Sequence, residues 1–326
     1  MCKDGELTWK KAFNSTPGPT NRKDSFILFI KGLCMGAADI IPGVSGGTIA
    51  LISGIYEDLI FAIKSINLLA IKNVLQFKLK EALGGVHLKF LLVLLCGIGV
   101  AILSISRVMH FFLQSYPVFT WSLFLGLILA SILVVGKTIK NWLGIAWIGF
   151  GGGTVAAWFI VGMIPQSTPE SWWFIILSGM IAICAMILPG LSGAFILLIL
   201  GKYEFITGTL KNPFQGDNLQ VILLFCLGCF IGITSFSRVL SYLLEKQENL
   251  TLAVLTGLMF GSIRKLWPWK EVLESKIIRG KTHILAEQNI LPPQFDGSFF
   301  FACALIVIGF FLVLLLEGLA TRQTNN

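Results

Sequence analysis

The chain has 326 residues, of which 55% are hydrophobic and 13% are charged, and its formal net charge is +8. Soluble domains carry charge on about a quarter of their residues, so this composition and a mean hydropathy of +0.82 exclude an ordinary soluble protein. Seven cysteines and three histidines are scattered along the chain without a ligand pattern, so we predict no disulfide framework, metal site or cofactor.

The N-terminal 25 residues predict a polar cytoplasmic tail, and they contain no cleavable signal peptide because the first apolar run is interrupted at Lys31. The apolar stretch 26–38 leads into Pro42-Gly43-Val44-Ser45-Gly46-Gly47-Thr48 before a second apolar stretch begins. Proline removes an amide hydrogen and glycine relaxes the backbone, so a helix must break there. Irregular backbone at membrane depth is tolerated only inside protein or beside a cavity. We therefore predict a re-entrant helical hairpin, whose legs either dip into the membrane or cross it.

Six further stretches are apolar enough to cross a bilayer or nearly so. They are 88–113, 117–136, 142–162, 219–244, 249–264 and 298–320. About 20 residues are needed to span the hydrocarbon core, and fewer suffice where the bilayer thins. The stretch 249–264 is therefore the marginal one.

The proline-glycine motif occurs twice, 147 residues apart. The run Pro42-Gly43-Val44-Ser45-Gly46 returns as Pro189-Gly190-Leu191-Ser192-Gly193, and each copy is followed by a Tyr-Glu pair. A second block, around Arg107, returns around Arg238 at a spacing of 131 residues. Two ordered blocks in register indicate two homologous halves. In a membrane protein this organisation is typical of a transporter.

The order of the segments also predicts the topology. Each half contains one hairpin and three spanning segments, so the number of crossings per half is odd and the repeats must be inverted. We predict an all-α integral membrane protein with repeats over 26–165 and 166–320 and a tail over 321–326. A cytoplasmic N-terminus places 15 Lys and Arg inside and eight outside. Six of those eight lie in 264–281, which could instead lie along a membrane surface.

The residues around the two breaks predict an anion-binding site. A second leg that begins at glycines presents free amide donors at the positive end of a helix dipole, and nearby hydroxyls add donors. The expected ligands are Pro42, Gly43, Ser45, Gly46, Gly47, Thr48, Pro189, Gly190, Ser192 and Gly193. The alternative is that the glycines only let helices pack closely. Gly47-Thr48 becomes Ala194-Phe195 and Asp39 aligns with Met186, so we expect more of the polar chemistry in the first half.

Arg107 and Arg238 are the next candidates, since they lie at equivalent positions inside apolar segments. A membrane-embedded arginine is costly and usually faces a cavity, a partner or the interface. We expect both to bind an anionic ligand. The alternative is that they extend to the membrane surface, because both lie within about two turns of a segment end.

Three carboxylates are candidates for counter-charges or proton carriers. They are Asp39 beside the first break and Glu57 and Glu204, which each follow a tyrosine. The two glutamates equally suit the membrane interface, and Tyr56 and Tyr203 suit an interfacial aromatic belt.

The paired motifs resemble those of the bacterial polyprenyl-phosphate translocase family called PopT. The resemblance is carried by residues 37–48 and 187–193, the latter running on to Leu200-Gly201-Lys202-Tyr203-Glu204, and it extends over about 26–319. It implies transport of undecaprenyl phosphate, the lipid carrier of cell-wall precursors, from the outer to the inner leaflet of the bacterial cytoplasmic membrane. The second motif departs at Ala194, where similar proteins often have serine and thus a hydroxyl.

Three functions remain open from the residues themselves. The first is a lipid-phosphate translocase, with membrane lipids and no nucleic acid as partners, in which proton coupling would offset the cost of moving a dianion across hydrocarbon. The second is a secondary transporter of a small soluble ion that uses the same hairpins. The third is a membrane phosphatase or lipid transferase, but it lacks a nucleophile with a nearby base, so we do not expect an enzyme.

Overall fold

A computed structural model describes residues 17–39, 45–164, 168–278 and 281–324. The chain is mostly helical. Its helices are α1 (Arg22–Asp39), α2 (Gly46–Ile52), α3 (Tyr56–Lys64), α4 (Leu68–Leu75), α5 (Leu79–Gly85), α6 (Leu88–Ser115), α7 (Pro117–Thr138), α8 (Gly144–Val161), α9 (Trp172–Ile187), α10 (Gly193–Ile199), α11 (Tyr203–Lys211), α12 (Asn218–Lys246), α13 (Glu248–Leu266) and α14 (Gly297–Thr324). Two strands, β1 (Lys270–Ile278) and β2 (Lys281–Asn289), lie between α13 and α14.

The long helices coincide with the six predicted spans. Among the described residues, α7, α8, α12 and the 297–315 part of α14 are long and apolar enough to cross a membrane, and three bent helix pairs bring the candidates to as many as seven. Helix α6 belongs to one of the bent pairs. The marginal stretch 249–264 forms the 19-residue α13, which is not among these candidates. The protein is therefore a multi-pass membrane protein.

Both predicted hairpins contain a short second leg followed by a sharp bend. Helices α2 and α10 have seven residues each, a rise of about 10 Å against a hydrocarbon core of about 30 Å. The next helix is bent by 118° in the first half and by 115° in the second. Gly54 and Gly201 lie at these bends with φ of 71° and 62°, a left-handed conformation that ends a helix and favours glycine. Each second leg alone is thus too short to cross the membrane, and together with the helix after the bend it forms either a broken span or a re-entrant loop.

The halves repeat the same packing of long helices. Helix α1 packs along α6, and α9 packs along α12 in the second half. Gly32 of α1 faces the Leu94 carbonyl, and the equivalent Gly179 of α9 faces the Phe225 carbonyl, so a Cβ atom at either glycine would overlap backbone. The equivalent helices α7 and α13 each pack against the last helix of the other half, α14 and α8. The two halves therefore exchange their final helices.

Contacts between helix ends group the connecting segments onto two faces. On one face, Lys64 pairs with Glu245 at 3.0 Å and Lys140 pairs with Glu248 at 3.2 Å. On the other face, Arg264 donates to the Trp158 carbonyl at 3.1 Å. The segments after α3, between α7 and α8 and between α12 and α13 thus share one face, which we call the first face. The ends of α8 and α13 and the strands that follow share the second face.

The strands β1 and β2 form an antiparallel hairpin that the all-α prediction did not include. Lys270 pairs with Asn289 at its base and Ile278 pairs with Lys281 at its tip. The sequence of this region contains several β-branched residues, which favour a strand, but its mixed charges also suit a surface-lying segment. The fold is helical with this one departure in the part of the chain described.

Candidate functional site

The two proline-glycine breaks meet inside the protein. The Ser45 hydroxyl donates to the Met186 carbonyl at 2.9 Å, and the Gly190 amide donates to the Thr48 hydroxyl at 3.0 Å. Both hydroxyl-bearing side chains are buried, with Ser45 0% and Thr48 1% exposed. Residues more than 140 positions apart are therefore held together by direct hydrogen bonds, and the described parts of the two predicted motifs are in contact.

The start of α2 is already occupied by a carboxylate. Asp39 Oδ1 accepts a hydrogen bond from the Gly46 amide at 2.7 Å, and the Ser45 hydroxyl caps the helix by accepting from the Gly47 amide at 3.1 Å. A Cβ atom at Gly46 would lie 2.6 Å from the Asp39 carboxylate, and one at Gly47 would overlap the Ile187 carbonyl. Glycine at both positions thus permits a close approach, and the protein supplies its own anion where we predicted a ligand.

The second break is held against the middle of a long helix. Gly190 has φ of 83°, and a Cβ atom there would lie 2.8 Å from the Met259 α-carbon. Met259 lies about two turns before the end of α13, so the break packs against the body of this helix rather than against one of its ends. Ser192 caps α10 by accepting from the Phe195 amide at 3.4 Å, and Pro189 is fully buried. Only glycine fits at position 190, where both backbone conformation and space exclude a side chain.

In the second hairpin, a carbonyl group of the first leg also leaves no space for a side chain at the start of the second leg. A Cβ atom at Gly193 would lie 2.6 Å from the Ala182 carbonyl of α9. The four described motif glycines therefore all lie in tight contacts, as the packing alternative requires. They nevertheless bring polar groups of both halves into one buried place, so packing and ligand binding are not exclusive here.

The hydrogen bonds between the two halves at the breaks are asymmetric. The side chains come from the first half, and the groups that they contact in the second half are backbone atoms of Met186, Ile187 and Gly190. Phe195 stands at the position equivalent to Thr48 and brings no hydroxyl. A ligand at the breaks would thus meet side-chain oxygens mainly from the first half.

The remaining predicted ligands are described only in part. Pro42 and Gly43 lie outside the described residues, and Arg107 lies on α6 with its side chain outside the described part. Arg238 is exposed on α12, and its guanidinium donates to the Thr234 carbonyl of its own helix at 2.9 Å. The described arginine therefore bonds to its own helix rather than to either break.

The two glutamates lie away from the breaks as well. Glu57 and Glu204 are exposed in the first turns of α3 and α11, just after the bends. Of the three predicted coupling residues, Asp39 is bonded to a motif residue, through the Gly46 amide.

Tyr56 was misplaced by the sequence analysis, and a second buried residue, Lys202, was missed. The prediction of an interfacial Tyr56 is wrong, because this side chain is 2% exposed and its hydroxyl donates to the Ile187 carbonyl at 3.3 Å. Lys202 is also 2% exposed, and its ammonium group donates to the Thr168 carbonyl at 2.8 Å and lies over the rings of Phe174 and Phe205. The signal for Lys202 was its place inside the second motif run.

The hairpin bends are tied down at equivalent backbone positions. The Lys31 ammonium donates to the Ser53 carbonyl at 2.7 Å, and the Thr168 hydroxyl donates to the Leu200 carbonyl at 2.5 Å. Ser53 and Leu200 are 147 residues apart, the spacing of the motifs.

Within the described residues, no group of three or more His, Cys, Asp or Glu side chains could hold a metal ion.

Comparison with known proteins identifies the family. Residues 35–283, which include both breaks, match the sequence profile of the undecaprenyl phosphate translocase-like family. The chain belongs to this family. The resemblance to polyprenyl-phosphate translocases is therefore confirmed.

Two relatives of the chain share one name with each other. A polyprenyl-phosphate transporter of Vibrio cholerae is 39% identical over 307 residues, which cover 90% of this chain and 96% of the relative. A polyprenyl-phosphate transporter of Staphylococcus aureus is 28% identical over 276 residues, which cover 74% and 86%. No solved structure matches the chain. Both names indicate a transporter rather than an enzyme.

Proposed function

We propose that the protein transports undecaprenyl phosphate from the outer to the inner leaflet of the bacterial cytoplasmic membrane, so that the carrier lipid is reused. The observation that carries this proposal is the contact of the two hairpin breaks inside the protein, through Thr48–Gly190 and Ser45–Met186. Transporters built from inverted repeats bind their substrates near the midplane at such broken helices. The names of the relatives supply the class of substrate.

The polar groups at the breaks suit a phosphate head group. In this conformation the Gly46 amide bonds to Asp39 and the Gly190 amide bonds to Thr48, so each donor is satisfied inside the protein. Buried donors must keep partners, and a phosphate monoester offers three terminal oxygens that accept hydrogen bonds. Binding therefore exchanges the contact between the hairpins for contacts with the lipid, and the described conformation is a closed one.

Arg107 and Arg238 are the proposed charged contacts of the head group from the two halves. Each arginine lies on the helix, α6 or α12, that packs along the first leg of the hairpin in its own half. A guanidinium group can grip a phosphate with two parallel hydrogen bonds. Release of Arg238 from the Thr234 carbonyl of its own helix would free its donors for this role.

The transport cycle that we propose is alternating access by inverted repeats. The exchange of final helices between the halves fits a pair of bundles that rock around a fixed central site. We place the N-terminus and the first face in the cytoplasm, because that arrangement puts most of the lysines and arginines inside.

Asp39 is the proposed proton carrier. Its carboxylate accepts the hydrogen bond from the Gly46 amide, which a bound phosphate would accept in its place. Two anions cannot occupy the same site without mutual repulsion. Uptake of a proton by Asp39 on substrate binding removes that repulsion and lowers the charge that crosses the hydrocarbon. Glu57 and Glu204, exposed on the hairpins, are the second pair of candidates.

The test of the transport function is leaflet exchange in liposomes. We expect labelled undecaprenyl phosphate to move from one leaflet to the other much faster in liposomes that contain the purified protein than in empty liposomes. Undecaprenol, which lacks the phosphate, controls for unspecific lipid mixing, and uptake of inorganic phosphate tests the alternative of a soluble-ion transporter. Folded protein with no exchange above empty liposomes would refute the proposed function, and uptake of inorganic phosphate alone would favour the soluble ion.

A further inference from the structure

A charge cluster on the second face joins the β-hairpin to the helices. Glu287 Oε1 of β2 accepts hydrogen bonds from Lys265 at 2.6 Å and from Lys270 at 2.8 Å. The three side chains are largely buried, with 18%, 9% and 22% of the side chain exposed for Lys265, Lys270 and Glu287. Two ammonium groups thus share a single carboxylate oxygen, and the cluster carries a net positive charge.

Aromatic rings complete the surroundings of the two lysines. The Lys265 ammonium lies 4.9 Å from the ring centre of Phe195, and the Lys270 ammonium lies 4.7 Å from that of Trp121. Lys270 also donates to the Lys265 carbonyl at 2.7 Å. The cluster therefore connects α13, α7 and the β-hairpin to α10, the second leg of the second hairpin.

The cluster lies close to the second break, on its side toward the second face. Lys265 follows Met259, which packs against Gly190, by six residues, a rise of about 9 Å along α13. Phe195, beneath the Lys265 ammonium, donates its amide to Ser192 of the second motif. The proposed function makes this face the outer one, where the substrate is collected.

We infer that Lys265 and Lys270 form an anion-binding site at this outer mouth, occupied at rest by the Glu287 carboxylate, where a lipid phosphate monoester binds in exchange for Glu287. The inference depends on the proposed function for the identity of the ligand. No covalent change takes place, because one anion replaces another on the same two ammonium groups.

The chemistry of the cluster favours this exchange. A phosphate monoester carries up to two negative charges and three terminal oxygens, whereas Glu287 serves both lysines with one oxygen and one charge. Burial and the neighbouring Lys265 lower the pKa of Lys270 to about 8, although Glu287 opposes this effect. A ligand of higher negative charge would therefore stabilise the charged form of Lys270 better than Glu287 does.

Exchange would also loosen the β-hairpin from α13. Its base keeps other bonds, among them those from Trp267 to the Ile290 carbonyl at 2.8 Å, from Asn289 to the Arg264 carbonyl at 2.8 Å and from Lys270 to the Lys265 carbonyl at 2.7 Å. Only the tie through Glu287 is therefore released when the anion binds. The hairpin would respond to the head group while remaining attached to the protein.

The experiment measures binding of farnesyl phosphate, a short-chain lipid phosphate, to the full-length protein in nanodiscs. We expect Glu287→Gln, which keeps the shape of the side chain and removes its charge, to raise the affinity at least about threefold, because the competing anion is gone. Lys265→Met and Lys270→Met keep the apolar stem over the aromatic ring and should lower the affinity about tenfold each. Glu248→Gln breaks the similar pair with Lys140 on the first face and should change nothing.

Thermal unfolding of each variant separates a ligand site from a structural clamp. A clamp alone would give Glu287→Gln a lower melting temperature and an unchanged or weaker affinity, and that result would overturn the inference. The inference also fails if the lysine variants are folded and bind farnesyl phosphate normally while the wild type exchanges lipid between leaflets. Affinity changes as expected, combined with no leaflet exchange by the wild type, would instead refute the proposed function and leave the anion site standing.

Discussion

Replacement of Thr48 by valine tests whether the contact between the breaks controls transport. Valine has nearly the shape of threonine, so Thr48→Val leaves no cavity but removes the oxygen that accepts from the Gly190 amide at 3.0 Å. Since Thr48 is 1% exposed, water cannot easily replace the lost partner. An unsatisfied buried amide costs about 1 to 3 kcal/mol, and hydrogen bonds inside membrane proteins average about 0.6 and reach about 1.7 kcal/mol. We expect Thr48→Val to destabilise the closed conformation by about 1 to 2 kcal/mol, a five- to thirtyfold change in its population relative to open ones.

Thr256→Val is the matched control for this experiment. Thr256 is also 1% exposed, but its hydroxyl donates within α13 to the Leu252 carbonyl at 2.7 Å, so its loss leaves no buried donor unpaired. We expect a lower melting temperature and an altered leaflet-exchange rate for Thr48→Val, and values near those of the wild type for Thr256→Val. Equal stability and equal exchange in the two variants would refute the reasoning.

Three other changes test the remaining parts of the account. Gly47→Ala should abolish leaflet exchange because its Cβ atom would overlap the Ile187 carbonyl, whereas Gly208→Ala, with open space around it, should retain exchange; equal activity would contradict this. Asp39→Asn keeps an acceptor for the Gly46 amide and should remain folded with weakened pH dependence of exchange, and an unchanged pH profile would exclude Asp39 as the coupling residue. Arg107→Ala and Arg238→Ala should lose almost all leaflet exchange, and Arg107→Lys and Arg238→Lys only part of it, whereas near-normal lipid-phosphate affinity in both alanine variants would indicate surface anchoring.

Helix positions were predictable from the sequence because apolar length and helix-breaking residues act locally. The predicted span 88–113 became Leu88–Ser115, and 219–244 became Asn218–Lys246. The breaks were predictable for the same reason, since proline and glycine interrupt a helix wherever it packs. The duplicated motif further indicated that the two breaks have equivalent roles.

Long-range contacts were not predictable from these local signals. Nothing in the spacing of Ser45 indicated that its hydroxyl would bond to Met186, and nothing indicated that Asp39 would occupy the start of α2. Tyr56 is an example, because a tyrosine beside a glutamate suits the membrane interface as well as the core. In the folded protein its side chain is buried by tertiary packing. The Lys265–Glu287–Lys270 cluster depends on a strand pairing that the charged sequence of 264–289 did not reveal.

Photo-crosslinking tests most directly the central claim that the two breaks form a single substrate site. The full-length protein in nanodiscs would bind a polyprenyl phosphate that carries a photoreactive group near its phosphate. After irradiation, the crosslinked residues would be identified by peptide mapping. The account predicts crosslinks in both α2 and α10 or the residues next to them, reduced by unlabelled undecaprenyl phosphate and absent with the corresponding alcohol. Specific crosslinks confined to one half, or to the lipid-facing surface of α14, would contradict it.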